Sequence, residues 1–157
     1  MGCRHLGEGY KMPKARKMLN DLEAPHVCAL SNLMKTQSKA TLVHWATDYC
    51  ECNLLPLYQK HCPNDPRLEC AIEAARKWLA GLIKLPEAKK HILACHAAAR
   101  EAYDNKAAQG AARAVGQSAS TIHSTKHCMG LALYGAPAIA YDILGNDAAW
   151  VDIERYS

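Results

Sequence analysis

The 157-residue chain contains no phenylalanine, and much of its hydrophobic half is alanine, the residue with the highest helix propensity. Patterns typical of strands are also missing. No segment of four to eight residues alternates apolar and polar side chains with enrichment in β-branched residues. These absences predict an all-α protein without a β-sheet.

Long hydrophobic runs are missing as well. The start of the sequence lacks the apolar run of about 7–15 residues that is typical of a signal peptide. The sequence also lacks the apolar run of about 18 residues that would predict a membrane span. We therefore expect a cytoplasmic protein that does not contact a membrane, and we expect its eight cysteines to be reduced thiols. The cysteines are Cys3, Cys28, Cys50, Cys52, Cys62, Cys70, Cys95 and Cys128.

The body of the chain has no excess of charge of either sign. The formal net charge is +4, but residues 1–18 carry five basic residues and one acidic residue, which leaves 14 of each sign elsewhere. Nucleic-acid-binding proteins usually have a basic stripe, and only the N-terminal segment could form one, so nucleic-acid binding is disfavoured. Residues 1–10 contain three glycines and no apolar period, which predicts a flexible basic arm that is dispensable for folding.

The length fits one domain over residues 1–157, since typical domains have about 100–150 residues. Helix start signals and apolar stripes divide this domain into a compact bundle of about six or seven helices. The start signals are Pro25, Ser38, Asp65–Pro66 and Pro86. The predicted helices cover about 11–22, 25–35, 39–61, 66–82, 86–103, 106–144 with a bend at 121–125, and a short segment from 147.

Besides Pro13 in the short predicted helix at 11–22, two prolines fall in the interior of longer predicted helices. Pro56 and Pro137 each lack a backbone N–H and clash with the preceding turn. We expect Pro56 to kink or divide its helix and Pro137 to kink the helix that contains it. On the helix before Ser38, the apolar stripe of Leu30, Leu33 and Met34 is predicted to face the core.

Several polar side chains lie at the edges of the apolar helix faces and are the candidate ligand-binding residues. They are Arg67, Glu73, Arg76, His96, Arg100, His123 and His127. His96 and Arg100 could line an anion pocket with Arg67, or they could simply bridge helices. Glu73 has the spacing to Arg76 and Lys77 of an ordinary solvated helix face. No residue is assigned a catalytic role.

The two histidines at positions 123 and 127 have a spacing that is also found in zinc metalloproteases. Those enzymes carry a glutamate directly after the first histidine, whereas this chain has Ser124. A di-iron bundle needs two Glu-x-x-His motifs, and only the segment Glu23–His26 matches. We therefore predict no metal and no cofactor, with the histidines hydrogen-bonded instead.

A ridge of small residues precedes these histidines on the same predicted helix. Ala112, Gly116 and Ser120 keep the ridge low. A glycine inside a helix costs about 1 kcal/mol relative to alanine, so Gly116 predicts a close helix–helix contact. We expect replacement of Gly116 by leucine to overpack this contact.

A set of short segments, taken in order along the chain, resembles one protein family. The segments are Ser38–Thr41, Trp45–Tyr49, Leu54–Tyr58, Arg67 with Ala71–Trp78, His96–Arg100, Ala111–Gly116, and Thr121–His123 with His127. Together they resemble the all-helical immunity proteins of bacterial polymorphic toxin systems, over about residues 22–145. The resemblance implies a protein that binds and neutralises a cognate bacterial toxin without catalysis and without a cofactor.

A second hypothesis stays open at this stage. In it the chain is a small helical enzyme or ligand-binding bundle, and His96, Arg100, His123 and His127 converge in one concave site with shifted pKa values. The immunity hypothesis instead predicts an exposed patch of charged or aromatic side chains. The sequence leaves both enzymatic activity and homodimer formation undecided.

Overall fold

A computed structural model describes residues 18–19 and 21–157 of the chain. These residues form helices and no β-strand, which confirms the all-α prediction. The helices are α1 (Pro25–Lys35), α2 (Lys39–Tyr49), α3 (Leu55–His61), α4 (Arg67–Leu79), α5 (Leu85–Glu101), α6 (Lys106–Ser120), α7 (Met129–Leu144) and α8 (Trp150–Tyr156). A π-helical turn (Cys50–Leu54) joins α2 to α3 without a break, and a 3₁₀ turn (Thr125–Cys128) leads into α7.

The predicted N-terminal features fall largely outside the described residues. This applies to the arm at residues 1–10 and to most of the predicted helix at 11–22. Within that range, the described Asp21 and Leu22 are not helical. The chain then follows the predicted order of helices from Pro25 onward.

Local capping explains where several helices begin. Ser38 Oγ accepts a hydrogen bond from the backbone N–H of Thr41 at 3.1 Å, and Asn105 Oδ1 accepts one from that of Ala108 at 2.8 Å. Such bonds satisfy N–H groups that have no partner inside the helix. Asp65 acts one residue earlier than a standard cap, because its Oδ1 accepts from the N–H of Arg67, the first residue of α4.

The irregularity predicted at Pro56 lies just before it. The π turn at Cys50–Leu54 ends α2, so Pro56 becomes one of the first residues of α3. The N–H groups in the first turn of a helix have no acceptor within the helix, so a proline there removes no intrahelical hydrogen bond. Asn53 Nδ2 also donates to the carbonyl of Tyr49 at 3.0 Å, which satisfies a carbonyl where the helix changes its hydrogen-bond pattern. At the second predicted kink, α7 continues as a helix through Pro137.

Helix α6 is the centre of the bundle. It packs against α2, α3, α4, α5 and α7. Most of its residues are buried, and most of the buried ones are alanine, glycine or serine. A helix buried on nearly every side is surrounded by other helices. Its small side chains allow close approach, since a β-carbon added at Gly110 would lie 2.9 Å from Ala138 Cβ on α7.

The ends of α6 and α7 agree with the sequence. Helix α6 stops at Ser120, directly before the region at 121–125 where a bend or break was predicted. Gly145 ends α7 with φ of 97°, a backbone conformation that favours glycine. The final helix begins at Trp150, slightly later than predicted.

All seven cysteines in the described part of the chain are free thiols. Burial raises the pKa of Cys50 to about 12 and also raises the pKa of Cys95. Both thiols therefore stay protonated and unreactive at neutral pH. Among the described helices, none combines the length and apolar character needed to cross a membrane.

Candidate functional site

The contacts of the candidate residues divide them into three groups. One group makes ion pairs at the start of α4, one lies on the outer face of α4, and one lies on α5 and around the 3₁₀ turn. The groups are Arg67 alone, Glu73 with Arg76, and His96 with Arg100, His123 and His127.

Arg67 belongs to a polar cluster that joins three helices. Its Nη2 donates to Asp65 Oδ2 at 2.7 Å and to Glu101 Oε2 at 2.6 Å. Tyr58 Oη, from a side chain that is 1% exposed, donates to the same Asp65 oxygen at 2.6 Å. These donors, Arg67 first, lower the pKa of Asp65 to about 2. The cluster links α3, α4 and α5, and it engages Arg67 with two carboxylates.

A cavity of about 320 Å³ adjoins this cluster. His61, on its wall, has one ring nitrogen 3.1 Å from Asn105 Nδ2 and the other 3.4 Å from Asp142 Oδ1. Asp142 in turn accepts from Lys60 Nζ at 2.6 Å. The polar groups of this wall therefore bind one another, as expected for a structural connection between helices.

The second group connects α4 to α2 and to the π turn that follows α2. Arg76 donates from two nitrogens to the two carboxylate oxygens of Glu51, at 2.9 and 2.8 Å, and from Nη2 to Asp48 at 2.7 Å. This bidentate geometry is the stronger form of an arginine–carboxylate ion pair. Glu73 pairs with Lys77 at 2.8 Å on the exposed face of α4. Arg76 therefore holds α4 against α2 and the π turn.

The third group brings together histidines from two parts of the chain. The ring of His96 on α5 lies against Gly116 of α6, where an added β-carbon would be 2.6 Å from His96 Cε1. The close contact predicted at Gly116 is thus made with an imidazole. His127 has Nδ1 2.7 Å from Gln117 Oε1, and its ring centroid is 5.0 Å from that of His123. Because α6 ends before His123, the turn rather than one continuous helix edge positions these rings.

Basic side chains surround this group. Burial lowers the pKa of His96, and repulsion from Arg100, His127 and Arg113 lowers it further. Burial also lowers the pKa of His123, with added repulsion from His127, Lys89 and Lys39. We call the surface formed by Lys89, His96, Arg100, Arg113, His123 and His127 the cationic face. No ion pair to a described residue involves Arg100 or Arg113.

Sequence reasoning did not include Lys89 in this group. A signal was present, because no acidic residue occurs from Ala88 to Arg100, a stretch that also contains His96. The described residues contain no cluster of three or more histidine, cysteine, aspartate or glutamate side chains that could hold a metal ion. Guanidinium and ammonium groups such as those of Arg100, Arg113 and Lys89 are able to form charge-assisted hydrogen bonds to carboxylates and other anions.

The lowered pKa values of His96 and His123 predict that folding stability decreases with falling pH, at pH values above those at which carboxylates titrate. Because the folded state disfavours protonated His96 and His123, the unfolded state binds more protons, and stability falls as pH drops through the ordinary histidine value of 6.5. Urea unfolding at about pH 7.5 and pH 5.5 should show this loss. The variant His96→Gln should lose less between these pH values, whereas the control His44→Gln, exposed on α2, should behave like the wild type. Equal pH dependence in all three proteins would contradict the assignment.

A second surface feature was not predicted. Leu33 was expected to face the core but is 60% exposed, and Trp45, Tyr49 and Tyr156 are 38%, 39% and 52% exposed. Periodicity identified the apolar stripe of α1, but it did not show that Leu33 is left uncovered by the part of the chain that the structure describes. Two cavities of about 270 and 320 Å³ meet at Leu30 and Trp45. We call this surface the apolar groove; it is formed by Leu30, Leu33, Met34, Trp45, Tyr49 and Tyr156.

Comparison with known proteins identifies the family. A family model described as "Imm-5 like putative immunity protein" matches residues 32–156, which include the cationic face and most of the apolar groove. No curated protein and no solved structure matches the chain. The match confirms the resemblance noted from the segments between Ser38 and His127. The chain therefore belongs to the Imm-5 like family of immunity proteins.

Proposed function

We propose that this protein binds a cognate protein toxin and blocks it by occupying its surface, without catalysing a reaction. The observation that carries the proposal is the family match over residues 32–156. The matched range contains α2 to α8 and the end of α1. The proposed role therefore belongs to the helical body of the protein.

The apolar groove supports a protein partner. Protein interfaces are enriched in tryptophan, tyrosine and methionine and depleted of most charged residues at their centres. The groove combines Trp45 and Tyr49 of α2 with Tyr156 of α8, and all three side chains are more than one third exposed. Aromatic side chains of this kind often provide a large share of the binding free energy.

The alternative of a ligand-binding or enzymatic bundle draws on a different observation. His96, Arg100 and His127 lie close enough to repel one another. An enzyme would use one of these imidazoles as a proton acceptor, and its activity would then depend on His96 or His127. Neutralisation by binding needs neither imidazole as a base, so an His96→Gln variant that still protects against the toxin would favour the binding role.

The proposal predicts that a reading frame next to this gene encodes the toxin, and co-expression of the two products in bacteria tests it. Wild-type protein should restore bacterial growth, and Leu33→Glu should reduce protection because it places a charge in the apolar groove. Stability should change little, because Leu33 is 60% exposed. Leu82→Glu is the matched control, since Leu82 is 73% exposed on the turn after α4.

Two results would count against parts of this proposal. A folded, well-expressed wild type that fails to protect cells would overturn toxin neutralisation by this chain. Full protection by Leu33→Glu alongside a protecting wild type would instead remove the apolar groove from the interface. Melting curves of both variants would confirm that folding is intact.

A further inference from the structure

The cationic face lies in a part of the chain that is almost free of acidic residues. From Ala88 to Tyr141 there are six lysines and arginines but only two acids, Glu101 and Asp104. Glu101 is held by Arg67 at 2.6 Å. Since the whole chain outside residues 1–18 is electrically balanced, the charge is distributed unevenly over the surface of the bundle.

Three elements present their basic groups on this one surface. On α5, Lys89, Leu93, His96 and Arg100 follow spacings of four, three and four residues, so they share one helix face. The ring of His96 lies on Gly116 of α6, one turn after Arg113 in the same helix. His127 of the 3₁₀ turn is bonded to Gln117, the residue after Gly116.

The basic groups of the cationic face lack counter-charges. Arg100 and Arg113 make no ion pair with the described residues, and Arg113 is partly buried, which lowers its pKa. A carboxylate brought to this surface would accept hydrogen bonds from the guanidinium groups, and hydrogen bonds to charged groups are the stronger kind. It would also offset the repulsion that, together with burial, lowers the pKa of His96.

We propose that the cationic face recognises an acidic surface of the toxin, with Arg100 and Arg113 pairing with aspartate or glutamate side chains and Leu93, on the same face of α5 as Arg100, making an apolar contact. This inference rests on the proposed function, because the partner is taken to be the toxin. Charges across an interface mainly set partner choice and the association rate. The cationic face would therefore select among toxins, while the apolar groove provides a separate contact area.

A protein is favoured over a nucleic acid as the occupant for two reasons. Leu93 is 65% exposed in the middle of the α5 residues of the face, and an apolar side chain there suits a protein surface better than a row of phosphates. The described body also lacks the overall basic charge that is typical of nucleic-acid-binding domains.

The test uses the double variant Lys89→Gln/Arg100→Gln in the full-length protein. Both side chains are exposed on α5, so folding should be unaffected. The control Lys35→Gln/Arg155→Gln removes the same charge from the exposed ends of α1 and α8. Binding of a fluorescent oligoglutamate peptide is measured by anisotropy, beside a single-stranded oligonucleotide of equal charge, and protection against the toxin is measured in cells.

We expect the α5 double variant to bind the peptide about tenfold more weakly, or worse, while the control keeps wild-type affinity. Equal weakening in both variants would overturn the inference, because the effect would then be general charge. Tighter binding of the oligonucleotide than of the peptide by the wild type would also overturn it, in favour of a nucleic acid.

The cell assay separates the two levels of the proposal. If the wild type and the α5 double variant protect equally, the cationic face is not the toxin contact, although toxin neutralisation stands. If the wild type itself does not protect, the proposed function fails, and the toxin as partner fails with it. Loss of protection in the α5 double variant, with protection kept by the wild type and the control variant, would support both toxin neutralisation and the role of the cationic face in it.

Discussion

Replacing Gly110 with leucine is expected to remove most of the stability of the domain. An added β-carbon at this position would lie 2.9 Å from Ala138 Cβ, 3.3 Å from Ala138 Cα and 3.3 Å from the carbonyl oxygen of Tyr134. Two of these atoms belong to the backbone of α7, so a side chain at Gly110 can be accommodated only if α6 and α7 separate. Overpacking typically costs about 1–3 kcal/mol and occasionally more, and we expect the upper end or beyond for leucine.

The measurement is urea or thermal unfolding of purified variants. Gly110→Ala should show a smaller loss of the same sign, and Ala40→Leu is the control, since residue 40 is exposed on α2. At Gly116 the three nearest atoms all belong to the ring of His96. That half-buried ring can swing outward, so Gly116→Ala should cost less than Gly110→Ala. If Gly110→Leu unfolds like the wild type, α6 and α7 do not approach as closely as described.

Within the polar cluster of Tyr58, Asp65, Arg67 and Glu101, Asp65→Asn should cause a larger loss of folding stability than Tyr58→Phe or Glu101→Gln. The substitution keeps the shape of the side chain but removes the negative charge. That charge pairs with Arg67 and strengthens the hydrogen bond that the carboxylate accepts from Tyr58 Oη. Because the folded state lowers the pKa of Asp65 from 3.8 to about 2, the carboxylate adds stability above pH 3.8 that is lost as pH falls through 2. A shift of this size corresponds to a loss on the order of 2 kcal/mol at neutral pH.

The pH dependence provides the diagnostic result. The difference in unfolding free energy between wild type and Asp65→Asn should be largest near neutral pH and should shrink toward about pH 2, where the wild-type carboxylate is also protonated. Tyr58→Phe, which removes one donor, should cost about 1 kcal/mol. Glu101→Gln should cost less, because the Glu101 side chain is 64% exposed. A deficit for Asp65→Asn that does not vary with pH would contradict the assigned ion pair.

Local chemistry explains which parts of the fold were predictable. Ser38 marks a helix start because its hydroxyl satisfies a free N–H, and that requires only neighbouring residues. The π turn at Cys50–Leu54 was missed because the residue types of this segment do not reveal a change from i→i+4 to i→i+5 hydrogen bonds, and the sequence predicts the irregularity at Pro56 instead. The exposure of Leu33 depends on which helices reach α1, and the spacing along one helix does not contain that information.

The same limit applies to the candidate site. Arg67 and Arg100 are similar in sequence, since each lies near the apolar face of a helix. Arg67 pairs with Asp65 and Glu101, whereas Arg100 has no carboxylate partner among the described residues. Which arginine each carboxylate pairs with is determined by the tertiary structure and cannot be read from the sequence. The proximity of His96 to Gly116 was partly foreseeable, because a buried glycine indicates close approach; the approaching group was not.

The central position of α6 has a consequence for synthesis in the cell. The ribosome completes α1 to α5 before it reaches Lys106, so those helices are made without the element against which α2, α3, α4 and α5 pack. At about 5–20 residues per second, their apolar faces stay open to chaperones and proteases until α6 and α7 have left the exit tunnel. Any protection conferred by the protein therefore starts only after almost the whole chain has been translated, and a ribosome that stalls before Lys106 releases a fragment suited to degradation rather than to binding.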